Sequence, residues 1–126
     1  MSERVASPHL EPLDLERVGA LDRLVHEPAR LTILTALSAC RRADFMYLLR
    51  ITGLSRGNLS THLTKLEDGG LVRVDKRFVD RRPNTSVALT TAGRDALERH
   101  WRQLDELRRV AREAGALELA PEGGER

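Results

Sequence analysis

The stretch GLSRGNLSTHLTKLEDGGLV, residues 53–72, constrains the fold more than any other. Ser55 stands where a helix N-cap belongs. Leu59, Leu63 and Leu66 recur at three- and four-residue steps and fall on one side of a helix. Gly53 precedes this run as a left-handed helix stop, and Gly69-Gly70 end it. The spacing predicts a helix over 55–68. Its other side presents Gly57, Asn58, Thr61 and Lys65, flanked by Ser60 and Thr64. These side chains are short or hydrogen-bonding, and none is acidic. Packing inside a protein does not call for such a face. The edges of stacked base pairs, with their donors, acceptors and methyl groups, do.

The rest of the chain arranges itself around that helix. Residues 1–12 carry Pro8 and Pro12 and read as a loose arm. From Asp14, the residues Leu15, Val18, Leu21, Leu24 and Val25 follow helical spacing, and Pro28 stops that helix and can open the next. PARLTILTALSA supplies Leu31, Ile33, Leu34 and Leu37 for a central helix. Asp44 caps a third, FMYLLRIT, which the turn at Gly53 joins to the helix over 55–68, a helix-turn-helix pattern. LVRVDKRFV and SVALT read as two strands joined by the turn cluster DRRPNT, with Pro83 and Asn84 at its tip. Thr90 or Thr91 caps a last long helix bearing Leu97, Trp101, Leu104, Leu107 and Ala111. The domain is expected over 13–113, with a flexible tail over 114–126. The fold class is mainly α with a small β-hairpin (α+β): a helix-turn-helix followed by the hairpin and flanked by N- and C-terminal helices.

Charge points the same way. The net charge is only +2, yet residues 41–90 hold ten Lys/Arg against five Asp/Glu. A polyanion bound by the middle of the chain fits that asymmetry, as does a solvated basic face. Aromatics make up 3% of residues, so Leu, Val and Ala must build the core. No apolar run approaches the ~18 residues that span a bilayer, and no secretory signal is visible. With a single cysteine, Cys40, a cytoplasmic protein without membrane partners is expected.

GLSRGNLSTHLTKLEDGGLV, HEPARLTILTAL and DRRPNTSVALTTAGRDAL together resemble the winged-helix transcriptional regulators of the MarR-like and ArsR-like groups. The resemblance covers roughly residues 20–100, with Asp80, Arg82, Leu89-Thr90 and Gly93-Arg94 at matching places. It implies a winged helix-turn-helix with N- and C-terminal dimerisation helices, a recognition helix, residues 55–68, in the major groove and a wing, residues 76–86, at the minor groove. The DNA-contacting residues would be Ser55, Arg56, Gly57, Asn58, Ser60, Thr61, His62 and Lys65. On the wing they would be Lys76, Arg77, Arg81 and Arg82, with Asp80 orienting Arg82. Gly57 either admits a close backbone approach to DNA or is a tolerated first-turn glycine. Arg56 either reaches a phosphate or covers the helix edge.

Leu21, Leu97, Trp101, Leu104 and Leu107 leave an apolar surplus that either packs on its own domain or forms a two-fold interface. A homodimer is expected, since Trp favours interfaces. Its two recognition helices would enter successive major grooves about 34 Å apart on a pseudo-palindromic operator. Repression by occlusion would follow, relieved by an unidentified small-molecule effector. Three alternatives stand beside this reading. A protein-interaction adaptor would lack specific DNA binding. An ArsR-like metal or redox sensor would need ligands, but His9, His26, His62 and His100 are scattered and Cys40 is alone. An enzyme would need a catalytic motif, and none is recognisable. No metal and no cofactor are expected.

Overall fold

Pro28 opens the first helix of the described residues, where its missing N–H is no loss. The structure, a computed structural model, describes residues 22–118. The elements run α1 (Pro28–Ser38), β1 (Ala43–Asp44), α2 (Phe45–Thr52), α3 (Arg56–Asp68), β2 (Val72–Val79), β3 (Arg82–Leu89) and α4 (Thr91–Glu118). The strands form one antiparallel sheet in the order β1-β3-β2. Contacts divide the chain into a unit over Leu21–His100 and a unit that holds Trp101 onward.

Local chemistry sets each boundary. Glu27 caps α1 by accepting from the Arg30 amide at 2.8 Å. Asp44 caps α2 through the Tyr47 amide at 2.7 Å, and Ser55 caps α3 through the Asn58 amide at 3.1 Å. Gly53 ends α2 at φ 70, a conformation that a Cβ disfavours. Thr90 is the cap of α4: its Oγ1 accepts from the Gly93 amide at 2.9 Å and donates to the Gly70 carbonyl at 2.6 Å. A Cβ on Gly93 would lie 2.0 Å from the Leu71 carbonyl oxygen, so helix and strand start approach as closely as glycine allows.

The buried side chains of the Leu21–His100 unit are aliphatic apart from Ser86 and one ring. Ile33, Leu34 and Leu37 of α1, Leu48 of α2, Leu59, Leu63 and Leu66 of α3, and Val72 and Val87 of the sheet are all buried. The ring is His100, fully buried, with its centroid 5.1 Å from that of His26.

Four expectations need correction. The helix expected from Asp14 does not extend through Leu24 and Val25: residues 22–27 form turns and bends, with the Asp22 carboxylate accepting from the Leu24 amide at 2.9 Å. The hairpin tip is Asp80-Arg81, and Pro83 and Asn84 sit inside β3, paired with Phe78 and Arg77. The last helix passes residue 113 and runs to Glu118. Leu97, read as an interface residue, is 3% exposed and belongs to the core of its own unit. The two-residue strand β1, too short to show alternation, was not anticipated. The arm over 1–12, Leu15, Val18, Leu21 and the tail after 118 lie outside the described residues.

Burial, aided by the neighbouring His26 and opposed by Asp22, holds the His100 imidazole below its ordinary value. A lowered histidine favours the folded state above the unfolded pKa of about 6.5, and that contribution disappears as pH falls through the folded pKa. Thermal stability should therefore drop on acidification below about pH 6.5. His100→Phe should flatten that part of the melting-temperature profile.

Candidate nucleic-acid interface

Leu59, Leu63 and Leu66 turn one side of α3 inward and so fix which side faces out. Arg56, Gly57, Asn58, Ser60, Thr61, Thr64 and Lys65 are all exposed. The Thr61 hydroxyl donates to the Gly57 carbonyl at 3.0 Å, which leaves its lone pairs and methyl group outward. Ser55 is exposed too, but its Oγ is engaged in capping. A Cβ placed on Gly57 would meet nothing within 4 Å. The fold itself therefore has no need of glycine there.

His62 departs from this row. Its side chain is 18% exposed and turned toward Glu27 and Arg30. The Arg30 guanidinium donates to His62 Nδ1 at 3.2 Å, to the Leu24 carbonyl at 2.7 Å and to the Arg23 carbonyl at 3.4 Å. Arg30 thus ties the turn before α1 to the middle of α3. Sequence reasoning missed it because its partner lies 32 residues away, beyond any local rule.

The wing has two faces, set by register. Val72/Leu89, Val74/Val87, Lys76/Thr85 and Phe78/Pro83 are opposed pairs on the core side. Arg73/Ala88, Asp75/Ser86, Arg77/Asn84 and Val79/Arg82 occupy the other. The predicted wing residues therefore separate: Lys76 lies on the core side, Arg77 and Arg82 on the opposite side, and Asp80 and Arg81 in the turn. Asp80 and Arg81 have φ of 52 and 67, the positive pair that a tight two-residue hairpin demands.

Between α3 and the sheet opens a cleft of about 300 Å³. Arg56, Ser60 and Thr64 line it from α3, and Lys76 and Thr85 from the sheet. Glu67 borders it with one carboxylate oxygen accepting from the Val74 amide at 3.1 Å. Two cations and three hydroxyls facing one cleft have the chemistry of a phosphate contact. Thr64 was read only as a flank of the helix and Thr85 not at all; the sheet register brings them to the cations.

Elsewhere, Cys40 is half-buried near the end of α1, its Sγ 3.6 Å from the Ala36 carbonyl oxygen. Among the described residues no cluster of three His, Cys, Asp or Glu is arranged to hold a metal ion. In the unit from Trp101 onward, Trp101 is 38% exposed, Leu104 and Leu107 are half-buried and Val110 is buried. No helix among the described residues is long and apolar enough to cross a membrane.

Comparison with known proteins agrees with this geometry. The winged helix DNA-binding domain family matches residues 29–108. The chain belongs to that family. A transcriptional regulator homologue from Pyrococcus horikoshii is 30% identical, with a TM-score of 0.69 over 77% of this chain and 95% of that one. The Streptomyces coelicolor MarR family regulator Sco3205, solved in complex with DNA, is 25% identical, with a TM-score of 0.56 over 86% and 68% of the two chains. The HTH-type transcriptional regulator YgaV of Escherichia coli is 40% identical over 57 residues, which are 45% of this chain and 58% of YgaV. The chain is a winged-helix transcriptional regulator, similar to solved regulators of the MarR family.

Gly57→Ala separates the two roles of that glycine. With open space around the new methyl group, thermal stability should rise by up to about 1 kcal/mol. Affinity for duplex DNA should fall at the same time, as measured by fluorescence anisotropy. Unchanged affinity would mark Gly57 as a tolerated first-turn glycine.

Proposed function

We propose that this protein is a sequence-specific, homodimeric repressor that reads double-stranded DNA with α3 in the major groove and the wing at the minor groove. One observation carries the reading. The exposed row from Arg56 to Lys65 has no carboxylate and stands beside a hairpin that projects Lys76, Arg77, Arg81 and Arg82. Asn58 offers a bidentate amide suited to adenine, and Thr61 offers a hydroxyl and a methyl. Ser55 holds the helix N-terminus in place, and Arg56 and Lys65 meet flanking phosphates. His62 acts through its contact with Arg30 and sets the pitch of α3.

Trp101, Leu104 and Leu107 would join the two-fold interface, together with Leu21, and Leu97 drops out of that set. Two heads about 34 Å apart fit a pseudo-palindromic operator. Such a dimer, working in the cytoplasm, occludes a promoter. A small molecule that favours a non-fitting arrangement of the heads releases it by population shift. The DNA-bound Sco3205 supports the docking mode by fold similarity.

Selection of duplexes from random-sequence DNA with the purified protein tests the reading. An inverted repeat should emerge, and binding should weaken steeply with salt. Asn58→Ala and Thr61→Ala should each relax preference at their own positions by about 1–3 kcal/mol. Arg82→Ala should weaken all sequences evenly and lower the salt slope by about one. Absence of any specific complex at low salt would favour a protein-interaction adaptor.

A further inference from the structure

Phe78 is 74% exposed, the most exposed large apolar side chain among the described residues. The chain holds only two phenylalanines, and the other, Phe45, packs against the core. An exposed phenylalanine near a hairpin tip does little for folding. Its surroundings are specific, however. Phe78 continues the sheet face that begins with buried Val72 and passes through Val74 and the cleft residue Lys76. Its cross-strand partner is Pro83. Counting outward from the closing pair Val79/Arg82, antiparallel alternation makes Phe78/Pro83 a non-hydrogen-bonded pair, with side chains close together. The proline therefore forfeits no bond to β2, and β1 pairs only with Ser86 and Val87.

The ribbon that carries this apolar pair is cationic. Lys76 shares its face, Arg81 stands in the turn, Arg77 and Arg82 lie on the opposite face, and Asp80 is the one carboxylate between residues 76 and 86. A protein partner's apolar patch carries a rim of mixed sign. A duplex instead offers two phosphate rails with a wall of deoxyribose rings between them. An apolar contact carried on a narrow ribbon with cations on both faces and in its turn matches that surface.

We propose that Phe78, backed by Pro83, packs against the deoxyribose rings lining the minor groove and so senses groove width. This rests on the DNA-binding reading and adds to it a residue that neither a charge count nor a motif reveals. The arginines hold the backbone; Phe78 fits only when the walls stand at the right separation. Its contribution is indirect readout, favouring sequences whose minor groove adopts that width without deformation. Arg81, held at φ 67 where glycine would sit without strain, keeps the tip tight and the pair in place.

The test uses the full chain and a duplex recovered from random-sequence DNA by wild-type selection, with Phe78→Ser, Phe78→Leu and wild type compared by anisotropy across a salt series. Phe78→Ser should lose roughly tenfold in affinity at every salt, since an apolar contact displaces no counterion and leaves the slope unchanged. Phe78→Leu should retain most of the affinity. Melting temperatures should coincide, because the residue is exposed. Wild-type affinity in Phe78→Ser overturns the proposal and leaves the DNA-binding reading standing. So does a changed salt slope, or a changed mass of the free protein, which would assign the patch to a second copy. Failure of the wild type to select any duplex overturns both.

Discussion

Burial of Leu59, Leu63 and Leu66 is the constraint on which the rest depends. A helix of 13 residues is marginal on its own in water. Each fully buried leucine contributes roughly 1.5–3 kcal/mol, so this side of α3 is what makes the helix persist. The same burial fixes its rotation. With the leucines against α1, α2 and the sheet, Asn58, Thr61 and Lys65 have nowhere to point but outward. The outward polar face of α3 is thus a consequence of packing. The Ser55 cap and the left-handed Gly53 then set where the helix begins, and with it which residues stand in its first turn.

The wing depends on where sheet pairing stops. Strand β1 covers β3 only at Ser86 and Val87, so the ribbon beyond them leaves the body of the unit as a two-stranded projection. Along that ribbon one face changes from Val72 and Val87, through Lys76 and Thr85, to Phe78 and Pro83. The alternation that buries valines at one end therefore decides which cation lines the cleft and which lies on the far side. A one-residue slip would exchange Lys76 for Arg77 in the cleft and expose the valines together. Hydrophobic burial at the base consequently sets the electrostatic pattern at the tip.

Much of this was legible in the sequence, and the failures share a cause. Asp44, Gly53 and Ser55 act within three or four residues, so local rules recover them. The hairpin tip was misplaced because Pro83 and Asn84 are better turn formers than Asp80 and Arg81. Register won: aligning Val72 and Val74 with Leu89 and Val87 leaves only Asp80 and Arg81 to turn, even with an arginine at positive φ. Leu97 was misread because helical spacing shows that a stripe is apolar without showing what covers it. His100, one position before Trp101, is buried while the tryptophan is part-exposed. The Asp22 turn was hidden by a periodicity that Leu24 and Val25 satisfy by chance. Arg30 and His62 meet only because α1 and α3 pack, and no local pattern encodes that.

Charged and neutral polar groups are spatially separated on this surface, and under the proposed DNA-binding function the separation has a physical reason. The middle of the exposed row, Asn58, Ser60 and Thr61, is uncharged, while Arg56, Lys65, Lys76 and the wing arginines stand around it. A cation gains nearly as much from any phosphate, so cations at the centre would bind every sequence alike. Neutral amides and hydroxyls behave differently. Against the right base edge they exchange water for a directional partner; against the wrong one they are desolvated without a partner, which costs about 1–3 kcal/mol for each group. Cations at the perimeter raise the affinity for all duplexes and bring the centre close enough for that penalty to operate. A discriminating surface of this kind needs both parts, and the leucine side of α3 together with the valine side of the sheet holds them in register.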